Sequence, residues 1–236
     1  MIHLHQYPAI WGLPSLSPFC IKVEMYLRKQ NIPYQTVVEK NPARGPKGKM
    51  PFIRDGNLTI PDSSFILQHL QKKQSAEAKQ DPHLEAQSLA FQRMIEEHLY
   101  FILLYSRWID PVGWEVLKRD FVSLFPPLIG MPFLHFLRSR LQKQAYQQGL
   151  GRHSQSEVYE LGKREIQALA TFLAEKTYFL GEEFTTLDAT AYAFLITILK
   201  QPIESELQKE VLRHPNLIGY CFREEATCFS DFAGKV

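Results

Sequence analysis

Three kinds of signal are missing from this sequence, and each absence removes a class of function. The segment Met1-Ile2-His3-Leu4-His5-Gln6-Tyr7 has neither the charged start nor the continuous apolar run of a secretory leader. The longest apolar stretch, Leu99 to Tyr105, is far short of the ~20 residues a membrane helix requires. The eight histidines are scattered and no Cys-x-x-Cys or His-x-x-x-His pair occurs, so no metal site is expected. Cysteine is scarce: Cys20, Cys221 and Cys228 make an odd count that suits a reducing compartment, not a disulfide framework. No basic run interleaves with aromatics, and 27 basic residues stand against 25 acidic ones. A nucleic-acid surface is therefore not expected. The expectation is a soluble, cytoplasmic protein with no metal, no nucleic-acid partner and no membrane partner.

What is present divides the chain in two. Residues 2–7 alternate apolar and polar, as a half-buried strand does. After a loop from Pro8 to Leu16, Ser17 and Pro18 make a good helix start, as N-cap and first helical residue. Ile21, Val23, Met25 and Leu27 give that helix a buried side, and Lys22, Arg28 and Lys29 are expected in solvent. Tyr34 to Val38 reads as a second strand, and Asn41 to Gly48 is too rich in Pro and Gly for regular structure. Asp55-Gly56-Asn57 between two apolar runs is a hairpin signal. Asp62 or Ser63 then caps a helix whose inner face is expected to hold Phe65, Ile66 and Leu70. Strand, helix, strand, loop, two hairpin strands and helix is the order of a thioredoxin-like domain, placed at residues 1–75.

The polar stretch Gln71 to Pro82 reads as a linker, followed by an all-helical C-terminal domain at residues 83–236. Two capping boxes, Ser154 to Glu157 and Thr185 to Asp188, start helices there. Gly113-Trp114 and the segment Phe125 to Leu128 read as punctuation between helices. Gly149 and Gly151 read as a helix stop, not as a phosphate loop, because the Gly-x-x-x-x-Gly-Lys spacing is absent.

Several stretches, taken in order, carry a resemblance. They are Leu16-Ser17-Pro18-Phe19-Cys20, Gly48-Lys49-Met50-Pro51-Phe52-Ile53, Ile60-Pro61-Asp62-Ser63, Gly149 to Ser154, Phe179-Leu180-Gly181-Glu182, Leu187-Asp188-Ala189 and His214-Pro215-Asn216-Leu217. Together they resemble the cytosolic glutathione S-transferase superfamily, closest to its failed-axon-connections and metaxin-like branch and that branch's bacterial relatives. The resemblance implies the α+β two-domain glutathione-transferase fold and conjugation of glutathione, as co-substrate, to a small hydrophobic electrophile. It also implies a homodimer. A non-catalytic adaptor module of metaxin type is the alternative.

For the site, the resemblance implies Ser17 as stabiliser of the glutathione thiolate. From the residues alone Ser17 is simply a helix cap, and Tyr7 at the end of the first strand is a rival activator. Lys49, Met50, Pro51, Asp62 and Ser63 are the implied glutathione-binding residues. Met50-Pro51 matches the family's cis-proline position, and Asp62-Ser63 matches its acidic-Ser pair, with Asp where many relatives carry the longer Glu. Cys20, one turn into the helix, reads as a packed residue, since Ser17 replaces the first cysteine of a redox pair. Aromatic residues from Tyr100 to Trp108 and from Trp114 to Phe125 are expected to wall the electrophile's pocket.

Overall fold

The computed structural model describes residues 1–74, 81–122, 125–126 and 128–232. A four-stranded mixed sheet is built from β1 (Ile2–Gln6), β2 (Tyr34–Val38), β3 (Phe52–Asp55) and β4 (Leu58–Pro61), in the order β2-β1-β3-β4. β1 runs parallel to β2 and antiparallel to β3, and the β3–β4 hairpin turns at Gly56 with φ 58°. Two helices complete the thioredoxin-like part, α1 (Pro18–Lys29) and α2 (Ser63–Lys73). All other described regular structure is helical: α3 (Pro82–Arg93), α4 (Tyr100–Leu104), α5 (Pro111–Phe121), α6 (Gly130–Gln148), α7 (Gln155–Leu173), α8 (Thr186–Lys200), α9 (Glu206–Leu212) and α10 (Pro215–Cys228). The middle of the expected linker, residues 75–80, lies outside the described residues.

By packing, the chain forms two compact units. One comprises residues 1–92, 175–200 and 219–236; the other comprises 93–174 and 201–218.

In the first unit α1 packs against α2 and α8. That placement corrects the expectation for its charged residues: Lys22 is fully buried, and Arg28 and Lys29 are largely covered. The covered cations have partners of opposite charge, as burial requires. Arg28 donates to Glu24 at 2.9 Å and to Asp231 at 2.7 Å, with its guanidinium 4.6 Å from the Phe229 ring centre. Glu24 also accepts from Gln6 and from the Tyr34 hydroxyl, which ties α1 to both β1 and β2. Lys29 pairs with Glu224 on α10 at 2.8 Å. Phe65 departs from expectation in the opposite sense: it is exposed and carries Lys47 over its ring, while Ile66, Leu67 and Leu70 form the inner face of α2.

α8 is apolar on nearly all sides because its residues from Leu187 to Ile198 are buried. Its start is held by Asp188, which accepts from the Thr185 and Phe179 backbone N–H groups, each at 2.9 Å.

In the second unit, Gly113 lies inside α5 and does not interrupt it. A Cβ there would sit 1.8 Å from the Ser106 carbonyl oxygen, so the glycine permits a close helix–chain approach. Gly149 (φ 116°) and Gly151 end α6 as expected, and Ser154 with Glu157 forms a complete capping box on α7.

Candidate active site

Ser17 precedes α1 with extended backbone (φ −96°, ψ 125°), and its carbonyl accepts from the Cys20 and Ile21 N–H groups. Its side chain makes no capping hydrogen bond. The Ser17 hydroxyl instead meets the Cys20 thiol, as do the Ser15 hydroxyl and the Tyr7 backbone. These contacts favour a thiolate, yet burial outweighs them and pushes the Cys20 thiol up to about 11. With no exposed surface and a proton held at neutral pH, Cys20 is a packed residue and not a nucleophile. The Ser15 hydroxyl also accepts from the Ser17 N–H at 3.4 Å.

Tyr7 lies just past β1, half-buried, with its ring against a buried cluster of Cys20, Met50 and Phe52. Strand register explains the meeting. His5 pairs with Phe52 across β1–β3, so the residues that follow His5 and those that precede Phe52 run side by side. The Met50–Pro51 bond at the entry to β3 is cis. Phe52 in turn pairs with Pro61, which brings the exit of β4, and so Asp62 and Ser63, alongside Met50–Pro51.

Asp62 takes a left-handed φ of 76° and is exposed, with Oδ1 accepting from the Ser64 N–H at 3.0 Å. Ser63 is buried as the first residue of α2. Lys49 is exposed at the end of a loop folded by two local devices. The Asn41 side chain accepts from the Ala43 N–H, and Gly45 leaves room for the Lys49 carbonyl, which a Cβ would approach to 2.3 Å. Ser17, Met50, Pro51, Asp62 and Ser63 are thus gathered around one end of the sheet, and Lys49 borders it. Ser15 was not anticipated; a serine in an irregular loop carries no periodic or capping signal.

The expected pocket wall is only partly available. In the second unit Trp114 is buried against Trp108, His135 and the Arg138 guanidinium, and Ile102, Leu103 and Leu104 are core residues. Residues 123 and 124 lie outside the described residues. Arg152 stacks on Tyr146 and donates to its carbonyl, a local brace for the α6–α7 turn. Among the described residues, no group of His, Cys, Asp or Glu is arranged to hold a metal ion.

Residues 18–113 match the glutathione S-transferase N-terminal domain, and residues 162–223 match the glutathione S-transferase C-terminal domain. An isoprene-epoxide glutathione S-transferase from a Rhodococcus species is 33% identical over 94% of this chain and 97% of its own length. The chain belongs to the glutathione S-transferase superfamily. Failed axon connections of Drosophila melanogaster is 35% identical over 98% of the chain, which spans 59% of that protein's length. Metaxin-1 of Mus musculus is 30% identical over 89% of the chain and 70% of its own length. Among solved structures, a beta-etherase from a Sphingobium species superposes with a TM-score of 0.67, at 12% identity, over 100% of this chain and 99% of that one. A glutathione transferase family member from Pseudomonas fluorescens superposes with a TM-score of 0.64 at 15% identity, over 98% and 92%. These superpositions establish the glutathione S-transferase fold: a thioredoxin-like N-terminal part followed by helices.

Proposed function

We propose that this protein conjugates glutathione to a small hydrophobic electrophile, with Ser17 as the group that stabilises the thiolate. The observation that carries the reading is the Ser17 hydroxyl. It stands at the positive end of α1, is not spent on capping, and already faces a sulfur atom. A thiol with pKa near ~8.5 is mostly protonated at neutral pH, and a hydroxyl donor at a helix N-terminus favours its anion. The Met50 backbone would pair with the cysteinyl part of glutathione. The exposed Asp62 carboxylate suits the γ-glutamyl ammonium, Ser63 and the first N–H groups of α2 suit its carboxylate, and Lys49 suits the glycyl carboxylate. The thiolate then forms a C–S bond to the electrophilic carbon while the bond to the leaving atom breaks. An epoxide, the substrate type in the name of the Rhodococcus relative, would release an alkoxide that takes a proton from water.

Isothermal titration with millimolar glutathione, followed by the ultraviolet absorbance of the bound thiolate against pH, tests the reading. Saturable binding with a thiol pKa below that of free glutathione is expected. The absence of binding would overturn it.

A second reading is a binding module of metaxin type that does not turn over. It is favoured by the Pro8–Leu16 loop, in which Leu13, Pro14 and Ser15 are buried and Ser15 bonds the Ser17 N–H. Glutathione binding without turnover of any epoxide or aryl halide would select it.

A further inference from the structure

We propose that the N-terminal half of α6 docks onto an anionic lipid surface. Leu128 is 91% exposed, Ile129 57%, Phe133 40% and Phe136 62%. Residues 129, 133 and 136 share one helix face, so these are neighbouring apolar tips and not scattered ones. The next turns of that face carry Arg140 and Lys143, both exposed and without a partner among the described residues. An apolar tip followed by basic residues is the pattern of a helix that sinks into the headgroup boundary of an anionic bilayer.

The charge around this face is one-sided. No acidic residue occurs between Asp120 and Glu157, whereas Arg138, Arg140, Lys143 and Arg152 all fall there. Arg138 is spent on the carbonyls of Trp108 and Ile109, and Arg152 on Tyr146. That leaves Arg140 and Lys143 to act outward. α5, which packs against α6, adds no net negative charge at its exposed end: Glu115 pairs with Lys118 and Asp120 with Arg119, each at 2.6 Å. A second copy is a poor occupant, because a two-fold contact through this face would set Arg140 and Lys143 near their own counterparts. No described helix is long and apolar enough to cross a membrane, so the mode is surface docking and not insertion across the bilayer.

The test is co-sedimentation of the full chain with vesicles of phosphatidylcholine alone and of phosphatidylcholine mixed with phosphatidylglycerol, at low and high salt. Binding to the anionic vesicles that weakens with salt is expected. Phe136→Ser should lower it about tenfold, and the Arg140→Gln/Lys143→Gln pair roughly 20-fold. All three positions are exposed, so the thermal midpoints of both variants should match the parent. Failure to bind anionic vesicles, or equal binding by both variants, would overturn the proposal. So would a concentration-dependent dimer that Phe136→Ser dissociates, since a second copy would then cover the face. None of these outcomes depends on glutathione binding.

Discussion

Lys200, at the C-terminal end of α8, donates from Nζ to the Gly12 carbonyl oxygen at 3.1 Å. The same buried ammonium pairs with the Glu225 carboxylate on α10. Gly12 and Trp11 both take left-handed φ, 68° and 54°, in a tight turn closed by mutual Ile10–Leu13 hydrogen bonds. One lysine therefore holds the tip of the loop that leads to Ser15 and Ser17. Lys200→Met should cost about 3 kcal/mol, because it strands the buried Glu225 charge. Adding Glu225→Gln should recover part of that loss. Urea denaturation of the three variants checks this, and an unchanged midpoint in Lys200→Met would refute it.

Ser17→Ala separates chemistry from folding. Its hydroxyl makes no capping bond, so the change in stability should stay within about 0.5 kcal/mol, below the ~1 kcal/mol of a lost cap. Removing a hydrogen-bond donor from the thiolate should lower kcat/KM about 100-fold. Steady-state kinetics beside a denaturation curve decides between the roles. A normal rate would move the activating role to Tyr7.

The thiols should differ in reactivity. Cys20 and Cys221 are fully buried, and burial raises both well above the usual thiol range. Cys228 is only half-covered. Titration of the native protein with an aromatic disulfide near pH 8 should modify Cys228 alone, and denaturant should release the other two. Rapid native reaction at Cys20 would contradict its packed role.

Glu165 on α7 accepts from or donates to His98 Nδ1 at 2.5 Å, yet burial raises its carboxyl from 4.5 to about 7. Between those values the folded state holds a proton that the unfolded state has lost. Stability from this group is therefore greatest below pH 4.5, falls as pH rises towards 7, and is level above. Glu165→Gln should gain about 2 kcal/mol over the parent at pH 8 and nothing at pH 4. Chemical denaturation at both pH values checks the sign, and a loss at pH 8 would refute it.

Local chemistry made much of this protein legible in its sequence. The hairpin at Gly56, the capping box at Ser154, the helix start at Ser17 and the stop at Gly149 each rest on a few neighbouring residues. Such features are decided by backbone conformation and short-range hydrogen bonds, which sequence neighbours alone control. The ordered match of Ser17, Met50-Pro51 and Asp62-Ser63 located the candidate site for the same reason.

What lies buried was decided elsewhere. Periodicity on α1 placed Lys22 in solvent, but α8, more than 150 residues later, packs on that helix and Lys22 is fully buried. Periodicity on α2 placed Phe65 inside, yet the residue is exposed because no described element covers it fully. The Ser15–Cys20–Tyr7 contacts likewise required the loop to fold back over the helix start. The sequence by itself determined where elements begin, turn and end, because those choices are local. Only the tertiary structure decided which side of each element is covered and which hydroxyls meet the Cys20 sulfur, because burial depends on partners distant in the chain.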